Sequence, residues 1–277
     1  MAPVLLATHP RLLEHDTGPG HPERPARLSA VLDGIAAAGL DDALLRVDPR
    51  PATRNELEAV HPAEHLDRLE AFIGDGGRSI DADTRVSPES WEVALLAAGA
   101  GVDAIERLTA GEADAAFCAV RPPGHHATTD RSMGFCLVNN VAVAARLLAD
   151  RGEQVLVVDI DAHHGNGTQD IFWDDPRVLF VSFHQHPLYP GTGAAEEVGG
   201  AGATGSTVNF PLPAGATGDV YRTGIQDVLA PHLAAWEPSW LLISAGFDAH
   251  RRDPITDMGL TAGDYADIVG DLLAFAP

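Results

Sequence analysis

The chain contains no lysine: its 18 basic residues are all arginines, set against 40 aspartates and glutamates. With a formal charge of −22, it has too few cations to assemble a basic face for a phosphate backbone. Nucleic acid is therefore excluded as the main partner. The acidic excess suits cationic small molecules or basic peptides, although a charge spread over the surface for solubility or salt is the plainer reading. The lack of lysine itself reads as genome composition, and no function is drawn from it. Cysteine is scarce: Cys118 and Cys136 stand alone in apolar surroundings, which excludes a disulfide framework and a CxxC site. No apolar run reaches the length of a membrane span. The opening Met1-Ala2-Pro3-Val4-Leu5-Leu6 lacks the charged start and long apolar core of a signal peptide. The expectation is a protein off the membrane, in a reducing, cytoplasmic setting.

What is present is a hydrophobic fraction of 45% over 277 residues, enough for a sizeable core. No linker, repeat or disordered tail divides the chain, so a single domain spanning 1–277 is expected. Near-continuous apolar runs at Ala115–Val120, Val155–Ile160, Val178–Phe183 and Trp240–Ser244 read as strands buried on both faces. Helical patterns alternate with them. Thr53-x-x-Glu56 is a capping box, Ser87-Pro88-Glu89 an N-cap with proline in the first turn, and Thr261-x-x-Asp264 opens a last helix. Further helices are expected at Pro25–Ala38, Asn139–Asp150 and Asp219–Trp236. Gly199–Gly205 is the most flexible-looking segment. Alternating strands and helices imply an α/β fold with a mostly parallel sheet covered on both faces.

The chemistry sits at strand ends. Val157-Val158-Asp159-Ile160-Asp161-Ala162-His163-His164-Gly165-Asn166-Gly167 runs a buried strand into two acids and a histidine pair. Burying unpaired carboxylates is costly, and a divalent cation relieves that cost. Asp161 and His163, two apart in extended chain, point to one side and can reach one ion; Asp159 is in phase but deeper. Asp248, in Ser244-Ala245-Gly246-Phe247-Asp248-Ala249-His250, is the natural third ligand from a neighbouring strand. His250 is an alternative ligand that reads better as a residue orienting the loop. Three protein ligands with an open position is the pattern of catalytic zinc. A third strand end, Arg121-Pro122-Pro123-Gly124-His125-His126-Ala127, presents adjacent histidines suited to carrying protons, each needing a partner to fix its tautomer. Asp159 and Asn166 are the available partners. Two further segments, Ser132–Asn140 and His184–Gly193, are weak signals on spacing alone.

Taken in order, RPPGHHA, GFCLVNN, VLVVDIDAHHGNGTQDIF, SFHQHPLYPGTG and SAGFDAH resemble the histone deacetylase family, with the flavour of its class II and bacterial amidohydrolase members. HPERPARL (His21–Leu28) and VSPESWEVALLAAGA (Val86–Ala100) fit as well, so the resemblance spans essentially the whole chain. It implies an arginase-like three-layer α/β fold and one catalytic Zn2+ on Asp161, His163 and Asp248. It makes His126 the general base and acid, and His125 an electrostatic partner held by Asp159. Asn166 stands where class I relatives carry an aspartate, which implies a lower pKa for His126. Gly134, Phe135 and Tyr189 match the floor and aromatic walls of a narrow acyl-lysine tunnel. Structural K+ or Na+ is implied at Asp159, Asp161, His163, Ser182 and Phe183, and at Phe172, Asp175 and Val178. The implied reaction is metal-assisted removal of an acetyl or other acyl group from a small-molecule or peptide N-acyl amine, of the lysine or polyamine type. The resemblance leaves the oligomeric state open.

One part of the family pattern is not among these residues. Its oxyanion-holding tyrosine lies in a Glu-Gly-Gly-Tyr motif beyond the third ligand, whereas Tyr189, Tyr221 and Tyr265 follow no glycine pair. The sequence given stops at Pro277, so a truncated or shortened member with reduced activity is expected. A non-catalytic acyl-lysine or polyamine sensor would also keep the pocket. An arginase-type ureohydrolase with two manganese ions is disfavoured, because the position of its bridging acid is Gly165.

Overall fold

The computed structural model describes residues 3–234 and 236–276. Met1, Ala2, Ala235 and Pro277 lie outside that set, and with them the first two residues of the opening segment and part of the Asp219–Trp236 helix. The chain forms two compact units, Met1–Leu147 and Leu148–Pro277.

In the first unit, β1 (Val4–Ala7), β2 (Leu44–Val47) and β3 (Ala115–Cys118) form a parallel sheet in the order β2-β1-β3. Parallel neighbours need crossovers long enough to hold helices. Here α1 (Pro25–Ala37) links β1 to β2. Helices α2 (Arg54–Glu58), α3 (Ala63–Gly74) and α4 (Ser90–Thr109) link β2 to β3. Leu6, Leu12, Leu28, Val93, Leu96, Ala97 and Ala119 form the core between sheet and helices. The Thr53 capping box is present, with Thr53 Oγ1 accepting from Glu56 N–H and Glu56 Oε2 from Thr53 N–H. The expected cap at Ser87 is corrected: α4 starts at Ser90 with Glu89 at its N-cap. The Ser87 hydroxyl donates to the Glu14 carbonyl instead, and Ser87 N–H donates to Ser90 Oγ.

Residue 148 falls within α5 (Asn140–Asp150). The second unit holds β4 (Val155–Asp159), β5 (Val178–Gln185), β6 (Thr207–Leu212) and β7 (Trp240–Ser244), all parallel in the order β6-β5-β4-β7. Helix α6 (Asn166–Phe172) joins β4 to β5, and α9 (Ala262–Leu273) follows β7. The apolar runs Val155–Val158 of β4 and Val178–Val181 of β5 are explained by their central position, buried throughout. Pro211 is tolerated because β6 is an edge strand, where a missing N–H breaks no ladder.

The long helix expected at Asp219–Trp236 is broken into α7 (Gly218–Gly224), a π-helical turn over Ile225–Leu229, and α8 (Ala230–Leu233). Pro231 has no N–H to donate back along the helix, so regular pairing fails around it. The Gly199–Gly205 loop is tied down by Gly200 N–H to the Trp173 carbonyl (2.6 Å) and Gly205 N–H to the Val198 carbonyl (2.6 Å). No described helix is long and apolar enough to cross a membrane.

Candidate metal centre and histidine pair

In the second unit, strand pairing sets Asp159 of β4 beside Ser182 of β5 and Ser244 of β7. Ile160 N–H still bonds the Ser244 carbonyl (3.0 Å), and the chains beyond the two strands then meet. Ala162 N–H donates to Asp248 Oδ1 (2.8 Å), and Asp161 and His163 N–H donate to Asp159 Oδ1 (3.1 Å) and Asp161 Oδ1 (2.8 Å). These bonds aim Asp161, His163 and Asp248 at one point, with one donor atom from each lying within 4.8 Å of the others. His163 Nδ1–H is 2.7 Å from Asp248 Oδ2 and 3.1 Å from Asp161 Oδ1.

The electrostatics of this trio suit a cation. Burial works against charge on His163, yet the hydrogen bonds to Asp161 and Asp248 and their charges hold its pKa up at about 10. Asp248 is also raised, by burial first and then by the neighbouring Asp161 charge. Both directions keep protons on His163 and Asp248, where positive charge is favoured. Imidazole nitrogen with two carboxylate oxygens suits zinc, and three protein donors leave a position for water or substrate.

Two glycines make room for the trio. A Cβ at Gly246 would lie 2.0 Å from Asp161 Oδ2, and one at Gly165 would lie 2.3 Å from Asp159 Oδ2 and 3.0 Å from the Phe180 ring. Any acid placed at 165 would displace Asp159, so this backbone has no room for a bridging carboxylate there.

In the first unit, His125 and His126 follow β3 with their ring centroids 4.0 Å apart and their planes tilted by 40°, both buried. The segment is held at both ends. Asn140 Nδ2 donates to the Pro122 carbonyl (3.0 Å) and Asn139 Nδ2 to the Ala127 carbonyl (3.0 Å). The chain returns over His126 through Gly134, which has φ of +55°; a Cβ there would lie 2.4 Å from the imidazole Cδ2.

A family model described as the histone deacetylase domain matches residues 21–277. The chain belongs to the histone deacetylase family. A probable deacetylase of Archaeoglobus fulgidus is 40% identical to it over 271 residues, 97% of this chain and 75% of the relative. A histone deacetylase-like amidohydrolase of Pseudomonas aeruginosa is 38% identical over 252 residues, 89% of this chain and 66% of that protein. The crystal structure of the HDA15 HD domain matches with a TM-score of 0.95 at 38% identity, covering 99% of this chain and 81% of that one. The α/β architecture, parallel sheets with helices on both sides, is thus one the family shares.

The remaining residues taken from the family pattern fall as follows. Phe135 has φ of +68°, costly for a side chain with a Cβ. Its N–H donates to Thr84 Oγ1 (3.2 Å), and Met133 and Cys136 exchange backbone bonds around it. Tyr189 is exposed, edge-on to the His163 ring at 6.3 Å. Asp159, Ser182 and Phe183 are fully buried, and Ser182 Oγ lies 3.0 Å from His184 Nδ1. Phe172, Asp175 and Val178 share the turn between α6 and β5, where Asp175 N–H donates to the Phe172 carbonyl (3.1 Å) and Val178 N–H to the Asp175 carbonyl (3.3 Å). Asn166 opens α6, half-buried. His250 shapes its loop, its Nδ1 accepting from Arg252 N–H (3.2 Å).

Sequence reasoning passed over Gly246, whose signal was its place in a run of small residues before an acid. It gave His164 and His184 no role of their own. His164 Nδ1 and the Thr192 hydroxyl are 2.8 Å apart, and His184 Nε2–H donates to the Gly193 carbonyl (3.0 Å). These bonds tie down the loop that carries Tyr189. Burial and the nearby His164 push the His184 pKa down to about 4, so it stays a neutral ring.

Proposed function

We propose that the protein is a zinc-dependent amidohydrolase that removes acetyl or related acyl groups from N-acylated lysine or polyamine-type amines. The convergence of Asp161, His163 and Asp248 carries this reading, and membership of the histone deacetylase family supports it. These three side chains would hold one zinc ion. Bound there, zinc polarises an acyl carbonyl and lowers the pKa of water. His126, by its match to the family motif, takes a proton from the attacking water and returns one to the departing amine. Its neighbour His125 tunes it electrostatically, and the surface of net charge −22 favours cationic amines over anionic amides. K+ or Na+ at the Ser182 and Phe172 segments would be structural.

A Glu-Gly-Gly-Tyr segment does not occur in these 277 residues. Removing one oxyanion donor typically costs about a hundred- to a thousandfold in rate. The polypeptide of this sequence should therefore turn over slowly as it stands. The test is acetate release from an acetyl-lysine peptide and from N-acetylated polyamines by zinc-loaded protein, with His126→Ala as control. Slow, chelator-sensitive release that His126→Ala abolishes is expected. Tight substrate binding with no release at all would replace the enzyme reading with that of a sensor.

A further inference from the structure

The HPER segment has no role in the chemistry above, yet the structure joins it to the histidine pair. Arg121, the residue that opens the Arg121–Ala127 segment, is buried, as is Glu23, 98 positions earlier. The guanidinium meets the carboxylate in a two-pronged pair, Nε to Oε1 at 2.9 Å and Nη2 to Oε2 at 2.8 Å. Its Nη1 donates to the carbonyls of Leu12 (2.9 Å) and His15 (2.6 Å). His15 Nε2 lies 3.4 Å from Glu23 Oε2, and its Nδ1 lies 2.6 Å from Ser90 Oγ at the start of α4. Burial opposes the charge on Glu23, but contacts with His15 and Arg121 outweigh it and hold the carboxyl down at about 2.

A buried ion pair of this kind is a poor way to gain stability, since well-packed apolar residues of similar volume usually serve as well or better. What it supplies is direction: four hydrogen bonds fix one guanidinium in a single orientation. Only Pro122, Pro123 and Gly124 separate that guanidinium from His125. Gly124 is itself wedged, with 2.5 Å between its would-be Cβ and the Asn140 nitrogen. Little slack remains between the anchor and the imidazoles.

We infer that Glu23, acting through Arg121, is a positioning residue for the His125–His126 pair. The inference rests on the proton-carrying role given to His126 above. Glu23 touches no substrate; it fixes where the imidazoles point. A misplacement on the order of 1 Å can cost about a hundredfold in rate.

The test compares Glu23→Gln with the double variant Glu23→Leu/Arg121→Met, which removes both charges and refills the space. In Glu23→Gln, kcat should fall about ten- to a hundredfold with KM little changed, and the imidazole nitrogen NMR signals of His125 and His126 should move. Zinc uptake should stay at the wild-type level. The double variant should regain thermal stability relative to the single one, without regaining kcat or the wild-type imidazole signals. Stability, rate and signals recovering together would reduce the pair to a structural role and overturn the inference. So would unmoved imidazole signals in Glu23→Gln. If the wild type shows no turnover, the enzyme reading fails by itself while the NMR arm still decides on Glu23.

Discussion

Replacing Gly246 by alanine should disable the metal centre without touching a ligand. The new methyl carbon would lie 2.0 Å from Asp161 Oδ2 and 2.5 Å from its Cγ. Ordinary van der Waals contact begins near 3.4 Å, so the carboxylate must retreat by about 1.4 Å. Metal ligands tolerate departures of only about 0.2 Å. The retreat also disturbs His163, whose backbone N–H and Nδ1–H both donate to Asp161 Oδ1. The glycine cannot easily give way either, because Ser244, two residues before it, is locked in register with Asp159. Disturbing groups behind a ligand typically costs ten- to a hundredfold in metal affinity. Displacing a ligand itself should cost at least about a hundredfold by the same scale. Overpacking should lower the stability of the metal-free protein by about 1–3 kcal/mol. Zinc affinity is measured by competition with a chromophoric chelator, and folding by circular dichroism and thermal melting. A folded Gly246→Ala protein whose zinc affinity stays within about threefold of wild type would refute the placement of Asp161.

Three further outcomes follow from the same geometry. His61 is buried, donates from Nδ1 to the Thr129 carbonyl (3.1 Å) and accepts at Nε2 from Asn139 N–H (2.9 Å). Burial lowers its pKa from 6.5 to about 4. The unfolded chain thus binds a proton below about 6.5 that the folded form refuses until about 4. Its stability contribution is intact above 6.5 and drains as the pH falls to 4, by about 3 kcal/mol in all. Urea titrations from pH 7 to 4 should show a shallower loss in a folded His61→Gln variant; an unchanged slope would contradict the buried neutral ring. Gly134→Ala should lower turnover at least tenfold by crowding the His126 ring while leaving zinc content unchanged, and loss of zinc together with activity would argue against that placement. Gly165→Asp should yield no second metal, because its side chain must displace Asp159; metal analysis giving two ions per chain would contradict this.

The central strands were legible because β4 and β5 are buried on both faces, so each opens with an apolar run that does not alternate. Capping boxes at Thr53 and Thr261 carried their signals locally and mark helix starts in the structure. Strands β1 and β2 have four residues each, like β3; the apolar run of β3 continues through Ala119 and Val120, whereas β1 and β2 run straight into Thr8 and Asp48, so only β3 stood out. Strand β6 contains Asn209 and Pro211, which its edge position allows. The break before Pro231 was a tertiary accommodation of a residue that sequence reading treated as part of a continuous helix. At the site, Asp161, His163 and Asp248 could be picked out because they follow directly on the ends of neighbouring apolar strands. Gly246 and Glu23 could not. The role of Gly246 depends on an atom it lacks, and that of Glu23 on a partner 98 residues away.

The central claim is that Asp161, His163 and Asp248 form a site for a single zinc ion. Titrating the metal-free protein with zinc while reading bound metal per chain tests it most directly. Saturation at one zinc per chain is expected, lost in Asp161→Asn and in Asp248→Asn proteins that remain folded. Saturation at two ions per chain, a preference for manganese pairs, or undiminished binding in those variants would contradict it.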